Sequence, residues 1–408
     1  MGMLDGMSKD KLHPLSFASR TTPFQESVIR EMTRLGDETG SVNLSQGLPE
    51  FDPPAEVMAA AVAAIQSGDN QYTFPFGSPF FRQAIAAKSL AYNHIPADPE
   101  TDITVTCGVS EALMSAVFAL TDPGDEVILF EPYYENYVPA CRLAGVTPRF
   151  VALHEPDYTF DAHELRQAFT DKTRLILLNT PHNPTGRVLS RVELEEIAGL
   201  CQEFGVVAVT DEIYERILYD DRSHISLGSL PGMQDRTVTV SGLGKTYAVT
   251  GWRVGWATAH ARLTALIRKV HDYMTVCAPA PFQAAGIVAL GLPESYYSEM
   301  RVQYQSRRKQ LLEALDAAGL TYPTPQGAYY VMADYSRLVW DQAAYHQPGW
   351  SLDRVFAEYM AQKVGVAVVP GSSFYSAPGG GIHRVRFNFA KVQDTLREAA
   401  RRLAKLST

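Results

Sequence analysis

Lys245, Asp211, Asn183, Tyr214 and Arg386 are polar residues that fall inside or just beyond short β-rich runs, and their types set the chemistry open to this chain. In an open parallel sheet a ligand binds beyond the carboxyl ends of the strands, so the residues following each run carry the information. After Ile103–Thr106 comes Gly108-Val109-Ser110, opening a helix. Tyr133 and Tyr134 follow Glu126–Phe130, and Pro181-His182-Asn183-Pro184-Thr185-Gly186 follows Arg174–Leu178. Asp211-Glu212-Ile213-Tyr214 follows Val206–Thr210. Ser241-Gly242-Leu243-Gly244-Lys245 follows Thr237–Val240, with Arg253 further on. Together these supply an amine, a carboxylate, a phenol, an amide, an aromatic face and an anion site.

Pyridoxal phosphate (PLP) needs such a set. Its aldehyde bonds a lysine amine, its ring nitrogen stays protonated over a carboxylate, and its phosphate suits a helix N-terminus with a guanidinium. The same residues carry a family resemblance. Asn43-Leu44-Ser45-Gln46-Gly47-Leu48-Pro49, Gln71-Tyr72-Thr73, Asn183-Pro184-Thr185-Gly186, Asp211-Glu212-Ile213-Tyr214, Gly244-Lys245-Thr246-Tyr247 through Gly251-Trp252-Arg253-Val254-Gly255, and Val385-Arg386-Phe387-Asn388-Phe389-Ala390 occur in order over nearly the whole chain. In them the chain resembles the class I aminotransferases of PLP fold type I, especially the kynurenine, glutamine and methionine aminotransferase branch.

The resemblance implies roles residue by residue. Lys245 is the Schiff-base lysine and proton shuttle, and Asp211 partners the pyridinium. Asn183 and Tyr214 donate to the ring oxygen, and Tyr134 stacks on the ring, with Tyr133 the alternative. Gly108, Val109, Ser110 and Arg253 hold the phosphate, and Tyr72 reaches the phosphate of a neighbouring subunit, which implies a homodimer with shared sites. Arg386, helped by Asn183 and Gly47, clamps the substrate carboxylate. The chain departs from many relatives at Gly242 and Gly244, where serines are common, so looser phosphate binding is expected, with Ser241 a weak substitute ligand.

The elements that must position these residues read as follows. Seven β runs, those above plus Pro148–Leu153 and Gly255–Thr258, alternate with helices at Glu111–Leu120, Tyr137–Ala144, Ala162–Phe169 and Val192–Phe204. This predicts an α/β fold with a mainly parallel seven-stranded sheet flanked by helices. A helix at Ala55–Gln66 precedes this alternation, and helices at Gln25–Leu35, Ser295–Ala318 and Asp353–Lys363, with strands at Gly327–Ala333, Val366–Val369 and Val385–Phe389, predict a smaller α+β domain around the first. The expected division is 46–290 for the large domain, with 1–45 and 291–408 forming the small one.

Each residue has a plainer reading. Asp211 could cap a helix, Asn183 could sit in an ordinary turn, Tyr72 and Tyr134 could be core aromatics, and alternation alone does not separate Arg386 from Arg384. A nucleotide-binding loop is disfavoured, because the required glycine before Gly244-Lys245-Thr246 is replaced by Thr239. A net charge of -9 argues against nucleic acid or an anionic membrane as partner. The four cysteines form no metal-ligand pattern and read as buried free thiols, and no run is apolar enough to span a membrane. Residues 1–11 do not read as a signal peptide, so a cytoplasmic enzyme is expected. Expected substrates are an amino acid, neutral and aromatic, sulfur-containing or glutamine, and a 2-oxo acid, with Phe24, Tyr72, Tyr329 and Phe374 as walls. β-Elimination on the same scaffold is the alternative.

Overall fold

The computed structural model describes residues 17–22, 24 and 26–406. The start of the expected first helix at Gln25, and the stretch weighed as a signal peptide, lie outside them.

The large sheet is built from β2 (Ile103–Thr106), β3 (Glu126–Glu131), β4 (Thr147–Ala152), β5 (Thr173–Asn179), β6 (Val207–Asp211), β7 (Thr237–Gly242) and β8 (Gly255–Ala259). Their order across the sheet is β2-β8-β7-β6-β5-β3-β4. β8 alone runs against its neighbours, and the other strands point the same way. The middle strands are apolar at successive positions because both faces are covered. In β3 and β5, Val127, Leu129, Leu175 and Leu177 enter one core cluster, while Ile128, Phe130, Ile176 and Leu178 enter the other. Strand pleat thus divides one continuous apolar run between two helical layers.

The helices are α1 (Val28–Thr39), α2 (Ala55–Ser67), α3 (Pro79–Asn93), α4 (Val109–Leu120), α5 (Tyr137–Ala144), α6 (Ala162–Ala168), α7 (Arg191–Phe204), α8 (Ala261–Thr275), α9 (Ala280–Leu290), α10 (Glu294–Ala317), α11 (Leu352–Tyr359) and α12 (Gln393–Leu403). α7 starts where Ser190 and Glu193 cap each other reciprocally. Outside the large sheet, β1 (Val42–Asn43) pairs in parallel with β10 (Val366–Ala367). A second antiparallel sheet has the order β11-β12-β9, from Tyr330–Asp334 (β9), Val369–Pro370 (β11) and Arg384–Asn388 (β12). The expected single strand at Val366–Val369 is therefore two short ones in different sheets. All four cysteines are free, but Cys107 and Cys277 are only half-buried, which corrects the expectation of four buried thiols.

Sheet register brings the chemistry together. Asn179 and Asp211 are paired at the ends of β5 and β6, and Gly242 pairs with Gly255 at the same rim. Because β8 is reversed, its beginning lies beside the end of β7, and the connection carries Lys245 and Arg253.

Candidate active site

A cavity of about 250 Å³ opens at this rim, between the large sheet, α1 and β12. Its lining includes Gly47, Gly108, Val109, Ser110, Tyr134, Asn183, Asp211, Tyr214, Lys245, Arg253 and Arg386. Residues from eight separate stretches of chain thus meet in one place.

Asp211, the last residue of β6, is buried and accepts a hydrogen bond from the Tyr137 hydroxyl at 2.8 Å and another from the Ile213 amide at 3.2 Å. Burial drives its pKa up to about 6, against the pull of those donors and of Lys245. Lys245 projects from the turn after β7, and its Nζ donates to the Gly47 carbonyl at 2.7 Å. Burial, then the Arg386 charge, lowers its pKa to about 8, while Asp211 opposes the change. A lysine amine that is partly neutral near physiological pH is competent as nucleophile and base.

Arg386 lies on β12 with its side chain fully enclosed. Nη1 donates to Asn183 Oδ1 at 2.8 Å and Nη2 to the Ser45 carbonyl at 2.7 Å, while Nε has no hydrogen-bond partner. The guanidinium lies 4.3 Å from the Tyr330 ring centroid and 5.0 Å from that of Phe374. It forms no ion pair among the described residues, although a buried charge is costly until an anion meets it. Arg384, two positions away, pairs instead with Glu155 and Asp334, which settles the ambiguity left by strand alternation.

The start of α4 faces the cavity. Gly108 precedes it at φ 81°, and a Cβ there would collide with the Arg253 guanidinium. The first amides of a helix have no partner within it, so Val109 and Ser110 present free donors backed by the helix dipole. Arg253 is anchored through Nη1 to the Thr250 carbonyl at 3.0 Å. Tyr134 faces the cavity and meets Tyr137 edge-on at 5.6 Å, whereas Tyr133 packs away on Phe150. Tyr214 shares a 3.0 Å hydroxyl contact with Tyr330.

Three expectations change. Ser241 is not in the cavity, because it alternates to the far side of the sheet and donates to Glu215 at 2.7 Å. Gly242 has no room for a hydroxyl, since a Cβ would lie 2.8 Å from the Val254 carbonyl and 3.0 Å from Gly255. Gly244 lines the cavity and would tolerate one. Of the expected walls, Phe24, Tyr72, Tyr329 and Phe374 are all absent from the lining. Tyr329 donates to the Gly47 carbonyl at 3.2 Å and Phe374 backs Arg386. Tyr72 is 83% exposed and lines a separate surface depression.

The sequence reading missed Tyr137, Tyr330, Ser27, Arg30 and Glu135, all of which line the cavity. Tyr330 fits closely enough that a side chain at Gly47 would strike its hydroxyl.

The model for aminotransferases of class I and II matches residues 39–403. The chain belongs to that family. An N-succinyldiaminopimelate aminotransferase from Mycobacterium tuberculosis is 38% identical and superposes with a TM-score of 0.90, covering 96% of this chain and 100% of that one. The methionine aminotransferase of Escherichia coli is 35% identical over 97% of this chain and 99% of its own length. A kynurenine–oxoglutarate transaminase of Dictyostelium discoideum is 36% identical over 95% and 96% respectively. This aminotransferase is therefore a PLP enzyme. The site fits the cofactor: a glycine cradle beside Arg253 that a Cβ would fill, and an amine and a carboxylate on one cavity.

Proposed function

We propose that this enzyme transfers the amino group of a neutral L-amino acid, aromatic, sulfur-containing or glutamine, to a 2-oxo acid, with Lys245 as its catalytic residue. The observation that carries the site assignment is Arg386, an enclosed guanidinium with no counter-ion among the described residues, facing a cavity that also holds Lys245 and Asp211. Bound PLP supplies an aldehyde that bonds amines and a protonated ring that accepts the electron pair released at the substrate Cα. Asp211 keeps the ring nitrogen protonated, and the Tyr137 hydroxyl fixes that carboxylate in place. Asn183 and Tyr214 would offer donors to the cofactor's ring oxygen, and Tyr134 would pack on its ring. The α4 N-terminus, the Ser110 hydroxyl and Arg253 hold the phosphate. Arg386 forks onto the substrate carboxylate, with Asn183 and Gly47 beside it. Lys245 would hold the cofactor's aldehyde and, with its amine free, would serve as base for the substrate Cα proton.

The division into domains at 46–290 and the remainder fits this reading, since β12 and α1 close over the large sheet's rim. A homodimer is supported by apolar side chains left in the open: Tyr72, Phe74, Phe80 and Tyr273 are all more than half exposed. Tyr72 then serves the partner's phosphate. Four unpaired cysteines suit the cytoplasm, and no described helix is long and apolar enough to cross a membrane. The test is a panel of amino donors and 2-oxo acids with PLP-loaded protein. Amino transfer to a 2-oxo acid supports the reading. Pyruvate and ammonia formed from cysteine conjugates in excess of transamination would replace it with β-elimination.

A further inference from the structure

The helix assigned to receive an anion carries a carboxylate of its own at the same end. Glu111 lies in the first turn of α4 and is buried. Its Oε2 accepts the Cys107 amide, so the carboxylate curls back over the terminus that faces the cavity. There its charge competes with a phosphate for the same helix dipole. Arg253, a cation at this end, is assigned to the phosphate itself. Among the described residues the ion pair made by Glu111 is with His271 of α8.

His271 is buried, and both its ring nitrogens meet acceptors. Nδ1 lies 2.5 Å from Glu111 Oε1, and Nε2 lies 2.6 Å from the Pro75 carbonyl. A carbonyl can only accept, so Nε2 carries a proton. Glu111 also accepts the Thr275 hydroxyl at 2.6 Å, and with the Cys107 amide this favours its ionised form, which puts the second ring proton on Nδ1. The ring is thus an imidazolium. Burial works against that charge, but Glu111, the Pro75 carbonyl and Asp272 outweigh it and lift the imidazole above its ordinary pKa. Burial likewise opposes the Glu111 charge, and His271 and Thr275 outweigh it. We propose that His271 is a positioning residue for the cofactor phosphate: its imidazolium cancels the Glu111 charge, so that the start of α4 can attract an anion. This rests on the reading that the phosphate lies there. The Nε2 proton ties the same pair to the stretch that follows Tyr72.

The test titrates the full-length apoprotein with PLP and with pyridoxal, which lacks the phosphate, following absorbance. The readout is the dissociation constant of each. His271→Gln should weaken PLP about tenfold, the scale of one uncompensated charge near a second anion, and leave pyridoxal within about twofold. Glu111→Gln combined with His271→Gln removes both charges and should return PLP to within about threefold of the unaltered chain. A merely structural role for His271 predicts the opposite, a double variant at least as weak as the single one. Glu111→Gln alone keeps an acceptor for the Cys107 amide and should bind PLP no more weakly than the unaltered chain, which decides the matter should His271→Gln fail to fold. Unchanged PLP binding in His271→Gln, an equal loss for PLP and pyridoxal, no recovery in the double variant, or weaker PLP binding in Glu111→Gln overturns the proposal. Equal affinity for PLP and pyridoxal in the unaltered chain would instead overturn the placement of the phosphate beneath it.

Discussion

Replacing Arg386 with glutamine removes the enclosed cation proposed to hold the substrate carboxylate. The guanidinium reaches Asn183 and Ser45 through its two terminal nitrogens, and its Nε is unengaged, so a forked contact with an incoming carboxylate needs no rearrangement of the backbone. Hydrogen bonds to charged groups contribute about 1.5–3 kcal/mol each, so a two-bond fork is worth roughly 3–5 kcal/mol once some overlap is allowed. At about 1.36 kcal/mol per tenfold, kcat/KM should fall by about two to four orders of magnitude. Arg386→Lys, which offers a point charge without the fork, should fall in between. Because Arg386 also depresses the Lys245 pKa, the glutamine variant should shift the alkaline-directed rise in cofactor capture to higher pH. The assay is steady-state kinetics on an amino acid and on the amine lacking its carboxylate, beside a pH series of PLP uptake by the apoprotein. An equal loss on both substrates would refute the role, because the amine has no carboxylate for Arg386 to hold.

Four more outcomes are expected. Lys245→Ala should abolish turnover while PLP still binds, seen as bound cofactor absorbance without amino transfer; retained turnover would remove lysine from the chemistry. Asp211→Asn should cut kcat at least a hundredfold, and in the apoprotein it should raise the melting temperature at pH 7 while leaving it little changed at pH 4. The sign follows from a folded pKa near 6 against an ordinary value of 3.8: the buried carboxylate costs roughly 3 kcal/mol above pH 6, and that cost vanishes as pH falls toward 4. Gly242→Ser should destabilise the protein by about 1–3 kcal/mol in denaturant titrations, by overpacking against β8, without tightening PLP, whereas Gly244→Ser should be tolerated. Tyr72→Phe should weaken PLP binding in a dimer of the 45.0 kDa chain, and a monomer in sedimentation with an unaltered PLP affinity would dismiss the shared site.

The large sheet was legible because its strands are short apolar runs bounded by turn residues, and all seven runs appear as strands. Lys245, Asp211 and Asn183 were legible for the same reason: each follows a β run, where a parallel sheet puts its ligand. Side-chain direction was less so. Ser241 lies within β7, which extends to Gly242, so pleat rather than proximity to Lys245 decides where its hydroxyl goes. Tyr329 and Tyr330 are adjacent phenols, and only the register of β9 with β12, which pairs Met332 with Arg386, shows which one faces the cavity. Ser27 and Arg30 carry no local signal at all. They reach the site because the N-cap of α1 is tied across the mouth to Glu135, 108 residues away in sequence.

The reversed strand β8 has a mechanical effect on how cofactor grip can vary. A parallel arrangement would require a full crossover between the element bearing the amine and the one bearing the phosphate-side guanidinium. Here a tight excursion joins them, held by the Leu243 amide to the Val254 carbonyl at 3.1 Å and by Val249 to Gly244 at 3.1 Å. On the proposed roles of Lys245 and Arg253, the two ends of one small heterocycle would be gauged by a single stiff caliper. Lesions that spread its jaws should disturb the covalent and ionic attachments together, so mutations in Thr246–Trp252 should scale the two in proportion.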